Sequence, residues 1–181
     1  MKRFFYAITL AFFVAFATSC SSDDSSAVTN NDTEATITAI INGEEWTGTV
    51  TSSTLLKVSS MGLQRFDITA EDGEQRIQLA CESEIQVGMP LITYTFDEES
   101  MDTNAIFTNS YLLGGNSYME HFVSTGEMTF TAFDAENGKA SGTFSFTAYK
   151  VGTLQDQIVT PEDVTITNGV FTNVSYTLYE Q

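Results

Sequence analysis

Basic residues are scarce in this chain, and so are the groups that build most metal and nucleophilic sites. Seven Lys and Arg stand against 24 Asp and Glu in 181 residues, a formal net charge of −17. So few cations cannot neutralise phosphates, which excludes nucleic-acid binding and disfavours docking on anionic lipid headgroups. There is one histidine, His121, and there are two cysteines, Cys20 and Cys81. Together they cannot complete a four-ligand zinc site. No P-loop and no Gly-x-Ser-x-Gly elbow occurs, and Gly114-Gly115 marks a loop, not a phosphate cradle. No uncharged apolar run reaches the roughly 20 residues of a membrane-spanning helix. Helical periodicity is missing too, and no internal repeat of useful length appears.

What is present starts at the first residue. Met1-Lys2-Arg3 is a short basic region, residues 4–16 are apolar, and Ala17-Thr18-Ser19-Cys20 are small residues ending in a thiol. This is the layout of a secretory signal peptide. The cysteine at the cleavage point resembles that of a bacterial lipoprotein signal, which implies that Cys20 becomes the lipidated first residue. Ala17 departs from the Leu usual at that position. Two or more acyl chains hold a protein stably on a membrane, where one holds it weakly.

The tract Ser21-Ser22-Asp23-Asp24-Ser25-Ser26 is similar to the surface-export signal of Bacteroidota lipoproteins, which implies the outer leaflet of the outer membrane. Loss of residues 1–19 removes two basic residues, leaving five against 24 acidic ones and a formal charge of −19. Once Cys20 is acylated, Cys81 has no partner for an intramolecular disulfide, so stability has to come from burial. Residues 20–34 hold the anchor and a polar linker too poor in apolar groups to order itself. Residues 35–181 form one domain of ordinary size.

Within that domain the hydrophobic period is 2. Ile37, Ala39 and Ile41 alternate with Thr36, Thr38 and Ile40, and Asn42-Gly43 then signals a tight hairpin before Trp46. Val58 centres a weaker strand. Phe66 to Ala70 leads into the turn Glu71-Asp72-Gly73-Glu74. Ile77, Leu79 and Cys81 share one face. Gly88-Met89-Pro90 breaks the chain before a strand over 91–96. Residues 105–113 and 118–123 form a strand pair. Met128, Phe130 and Ala132 alternate with Thr129, Thr131 and Phe133, then Asn137-Gly138 turns the chain. Phe144, Phe146 and Ala148 share a face. Val164 and Ile166 approach another Asn-Gly turn, Asn168-Gly169, and Val170, Thr172, Val174, Tyr176 and Leu178 complete the final strand. The pattern predicts an all-β fold, an antiparallel meander forming a β-sandwich or small β-barrel of about nine to eleven strands.

Three stretches carry a family resemblance: residues 38–46 (TAIINGEEW), 141–148 (SGTFSFTA) and 166–171 (ITNGVF). They resemble a family of small Bacteroidota lipoproteins with a β-rich domain of unknown function. The resemblance spans most of residues 35–181. It implies a compact β domain behind a lipid anchor and transfers no catalytic residue.

Several groups stand out as candidate sites. Cys81 and His121 are the only material for a Cys-His nucleophile pair, but Cys81 shares a face with Ile77 and Leu79 and reads as a core thiol. Asp97, Glu98, Glu99 and Asp102, the turn at 71–74, and Asp134 with Glu136 and Asn137 offer oxygen ligands of the kind calcium prefers, without EF-hand spacing. The metal reading is held to Asp97, Glu98 and Asp102, and solvated turns are its alternative. A carboxylate pair among these residues would suit a small glycan-acting hydrolase. Trp46, Tyr94, Tyr111 and Tyr118 could contact a ligand or fill the core.

The expectation is a lipid-anchored cell-envelope protein, non-enzymatic and without a cofactor, that serves as a binding or interaction domain. Its partner would be a glycan, a lipid or an envelope protein, with contacts in loops 97–104, 114–117 or 152–161. A hydrolase, or a structural subunit of an envelope complex, is the alternative.

Overall fold

The computed structural model describes residues 35–112, 116–150 and 163–181, with side chains left out over 110–120. Residues 1–34, 113–115 and 151–162, and with them the Cys20 anchor and most of two watched loops, lie outside the described residues.

Ten strands form one sheet: β1 Thr36–Ile41, β2 Glu44–Val58, β3 Leu63–Glu71, β4 Gln75–Glu84, β5 Thr93–Asp97, β6 Thr103–Leu112, β7 Asn116–Asp134, β8 Lys139–Lys150, β9 Asp163–Ser175 and β10 Thr177–Glu180. Eight of them follow one another around the sheet in the order β1-β9-β8-β7-β6-β4-β3-β2, and the β1–β2 pairing closes the ring. An even-numbered up-and-down meander closes with an antiparallel pair, and full closure removes the edges that would otherwise template aggregation. The expected choice between sandwich and barrel therefore resolves to a barrel.

The two remaining strands fill seams. β6 pairs with residues 116–122 of β7, and β5 takes over at residues 125–129 of the same edge. β1 pairs with residues 44–49 of β2, and β10 runs parallel to β2 at residues 54–57. Both sit toward the same end of the barrel. That end is built from the turns at 59–62, 85–92, 98–102 and 135–138 and is called here the Met101 end. The opposite, Asn42 end carries the turns at 42–43 and 72–74.

The alternation read from the sequence holds in β1, where Ile37, Ala39 and Ile41 are buried, in β4 and in β8. Asn42 and Gly43, with φ of 51° and 90°, make the two-residue hairpin turn expected of them. Elsewhere bulges intervene. Asn168-Gly169 does not turn the chain. With Asn168 at φ 52°, the pair bulges within the continuous β9, two residues opposite Ala39. Val58 does not centre a separate strand but ends β2, whose register shifts between Val50 and Ser52. The stretches 118–123 and 128–133 are one long strand, β7. Its shift between Phe130 and Ala132 exposes Ala132 and turns Phe133 against the core. The final strand breaks at Tyr176, leaving Val170 and Leu178 exposed while Phe171 and Val174 are buried.

An eight-stranded barrel is just wide enough for side chains to fill it. Here rings fill it. Phe130 packs edge-on against Phe66, Tyr94, Phe133 and Phe171, with centroids 5.2–6.0 Å apart. Each such pair adds about 0.5–1.5 kcal/mol beyond area burial. Outside, Thr36, Thr38, Thr47 and Ser52 face solvent. Polar-out and apolar-in is the reverse of a membrane-spanning barrel, and no described helix is long and apolar enough to cross a membrane. Phe130→Ala should cost about 3–5 kcal/mol in urea denaturation. A loss below about 1 kcal/mol would mean that the rings do not fill the barrel as a packed unit.

Candidate functional site

The Met101 end is held together by hydrogen bonds among its loops and strand ends. Ile85 N donates to Gly62 O at 3.0 Å, and Glu82 N donates to Asp102 O at 2.7 Å. Gln64 is the organising side chain, buried to 1% exposure on the inward face of β3. Its Nε2 donates to Gly88 O at 2.8 Å and to Ser83 Oγ at 3.1 Å, and its Oε1 accepts from Gln86 N at 3.4 Å. A buried amide left unpaired would cost about 1–3 kcal/mol, so these bonds pin segment 85–92 across the barrel mouth. Met89 is thereby buried, and Gly88 passes so close to Phe133 that a Cβ there would lie 2.6 Å from the ring.

Pinning the backbone leaves several apolar side chains outside. Met61, Ile85, Val87, Leu91, Ile92 and Met101 are exposed, Val87 to 81% and Met101 to 91%. They sit on the loops 59–62, 85–92 and 98–102. Val87 and Leu91, with Phe133, Asp134 and Glu136, also line an open groove of about 740 Å³. The described turns of the Asn42 end, Asn42-Gly43 and Asp72-Gly73-Glu74, present only polar groups. Sequence reading singled out loop 97–104, which carries Met101, but missed the 85–92 part of this surface because residues 91–92 look like the start of a strand. A signal was available: Val87 and Leu91, on either side of the Gly88-Pro90 break, fall out of the alternating frame of Tyr94 and Phe96.

Of the residues singled out from the sequence, Asp97, Glu98, Asp102, Asp134 and Glu136 belong to this end, on or beside the 98–102 and 135–138 turns, and the others lie elsewhere. Trp46 and Tyr94 are core residues at 6% exposure. The Trp46 ring occupies the space that a Cβ on Gly48 would need. Trp46 Nε1 and the Tyr94 hydroxyl are buried without a hydrogen-bond partner among the described residues. Tyr111 and Tyr118 occupy adjacent rungs of the β6–β7 pair, opposite Ser117 and Ser110. Cys81 pairs with Phe66 and Thr103, whereas His121 pairs with Phe107 and Lys150. Four residues of β6 separate those rungs, about 13 Å along the strand, so the thiol and the imidazole are not brought together. The His121 ring instead packs against Phe107 at 5.8 Å.

The acidic turns satisfy themselves. Asp72 Oδ1 accepts from the backbone N–H of Glu74 and Gln75, and Asp97 Oδ1 from that of Glu99. Glu71 accepts two hydrogen bonds from Arg76. Asp134 accepts from the Asn137 side chain and from the backbone N–H of Asn137 and Glu136, which holds its carboxyl below the usual value. These are Asx turns of the kind that local hydrogen bonding favours. Among the described residues no group of three or more His, Cys, Asp or Glu is placed to hold a metal ion.

Burial pushes the Cys81 thiol up from its ordinary 9.0 and the Tyr94 phenol up to about 12. Both groups keep their protons longer folded than unfolded. The stability they contribute is therefore full below pH 9.0 and is lost as pH rises, first through Cys81 and then, above 10.0, through Tyr94 as well. Urea denaturation from neutral pH to about pH 11 should show this fall, and Cys81→Ala should remove its first part. An unchanged profile in that variant would mean that the thiol is ionised equally in both states.

No curated protein and no solved structure matches the chain. The family described as Domain of unknown function (DUF6252) matches residues 33–175, which include all of the closed ring. The chain therefore belongs to the DUF6252 family.

Proposed function

We propose that this is an exported cell-envelope protein, held at the outer membrane through lipid on Cys20, whose barrel is a non-catalytic interaction module presented at the cell surface. One observation carries the interaction role. The exposed large apolar side chains of the described loops lie on three loops at one end, 59–62 and 85–92 joined by a hydrogen bond and 98–102 bonded to β4. Apolar groups kept outside at the cost of hydration, on a backbone pinned by a buried glutamine, mark a contact surface rather than a solvated turn. The anchoring role is supported by the order of basic, apolar and small residues that ends in Cys20.

The anchor is tested by mass spectrometry of the full-length gene product expressed in its own envelope. The mature chain should begin at Cys20 and carry diacylglycerol, while Cys20→Ala should keep residues 1–19 and stay unacylated. Normal maturation of Cys20→Ala would refute the anchor.

A further inference from the structure

The apolar loops and the direction of the chain point to the same partner. β1 runs antiparallel to β2, with Thr36 opposite Thr49 and Ile41 opposite Glu44. β2 itself runs from the Asn42 end to the Met101 end. The first described strand thus begins on the side of the Met101 end and runs away from it. What precedes it is residues 21–34 and then the cysteine that the proposed function acylates. A random-coil chain of that length would have a root-mean-square reach of about 20 Å. A surface held so close meets its target at an effective concentration of order millimolar. Contacts too weak for a free protein then suffice.

We infer that the Met101 end rests on the lipid bilayer that holds the anchor, with Met61, Val87, Leu91, Ile92 and Met101 seated at the boundary between headgroups and acyl chains. The inference rests on the proposed anchoring at Cys20. The chemistry of these side chains fits lipid: aliphatic and thioether groups enter the bilayer interface without leaving a polar atom unpaired. The surrounding charge sets which lipid. Glu84, Glu98, Glu99, Asp102, Asp134 and Glu136 are exposed on the same loops and strand ends, so an anionic surface repels this end and a zwitterionic one accepts it. The Asn42 end, with its polar turns, then faces away from the membrane.

The test uses the full-length protein, acylated in cells, purified and reconstituted into protein-free phosphatidylethanolamine–phosphatidylcholine vesicles. Single labelling sites are introduced as Val87→Cys and Met101→Cys, with Asp72→Cys as the control at the other end. All three positions are exposed. Cys81 is buried and Cys20 is acylated, so a polarity-sensitive fluorophore marks only the new thiol. At Val87 and Met101 the emission should shift to the blue with a several-fold rise in intensity and protection from aqueous iodide. At Asp72 it should not. Replacing part of the lipid by phosphatidylglycerol should reduce the shift.

Acylated protein whose labels at Val87 and Met101 stay aqueous overturns the docking and leaves the anchor standing. A shift seen only in native envelopes, and not in protein-free vesicles, assigns the surface to a protein and overturns the lipid proposal. A shift that grows with phosphatidylglycerol also contradicts it. A chain without acyl mass overturns the anchor and the docking together.

Discussion

The barrel depends on how its interior is filled. Eight strands enclose little more than a column of side chains, and here Phe130 stands in that column with four rings around it. Those rings come from β3, β5, β7 and β9, so one cluster ties together opposite walls of the sheet. With no disulfide among the described residues, this burial has to offset the conformational entropy of the domain. The bulges follow from the same need. β2, β7 and β9 each take an extra residue where strict alternation would turn a side chain the wrong way. At the shift after Phe130, Phe133 is aimed back against Phe66 and Tyr176.

Packing at one end determines what that end can present. Phe133 leaves no room for a side chain at residue 88, so Gly88 lies across it, and Gln64 fixes the backbone there. Met89 becomes the plug. Its neighbours Val87 and Leu91 are left on the outside with nothing in the barrel to cover them. The apolar surface is thus a consequence of how the barrel is closed. The proposed use of that surface turns an exposed liability into a contact with the membrane to which the proposed anchor would tether it.

Much of the fold was legible because period-2 alternation and hairpin chemistry are local. Ile37, Ala39 and Ile41 face inward as read, and Asn42-Gly43 turns as read. The limit is shown by Asn168-Gly169, which has the same dipeptide and the same positive φ at its asparagine yet bulges inside a strand. Which outcome occurs depends on whether neighbouring strands continue past the dipeptide, and β1 and β8 do. Phe133 and Ala132 were exchanged for a similar reason, since a bulge inverts every side chain beyond it. The candidate residues fared differently. Cys81 was recognisable as a core thiol from its companions on β4. Gln64 was invisible, because a buried amide is defined by partners on a distant loop. The surface at Val87 and Met101 was hidden because exposure belongs to the closed barrel and not to the local sequence.

The central claim is that the Met101 end faces the membrane because the tether holds it there. Hydrogen–deuterium exchange on the vesicle-bound protein, before and after a protease cuts the tether within residues 21–34, tests it most directly. The account predicts slowed exchange at 59–62, 85–92 and 98–102 while the tether is intact, lost on release, with the turns at 42–43 and 72–74 unchanged throughout. Equal exchange before and after release, or protection that falls on the Asn42 end, would contradict it.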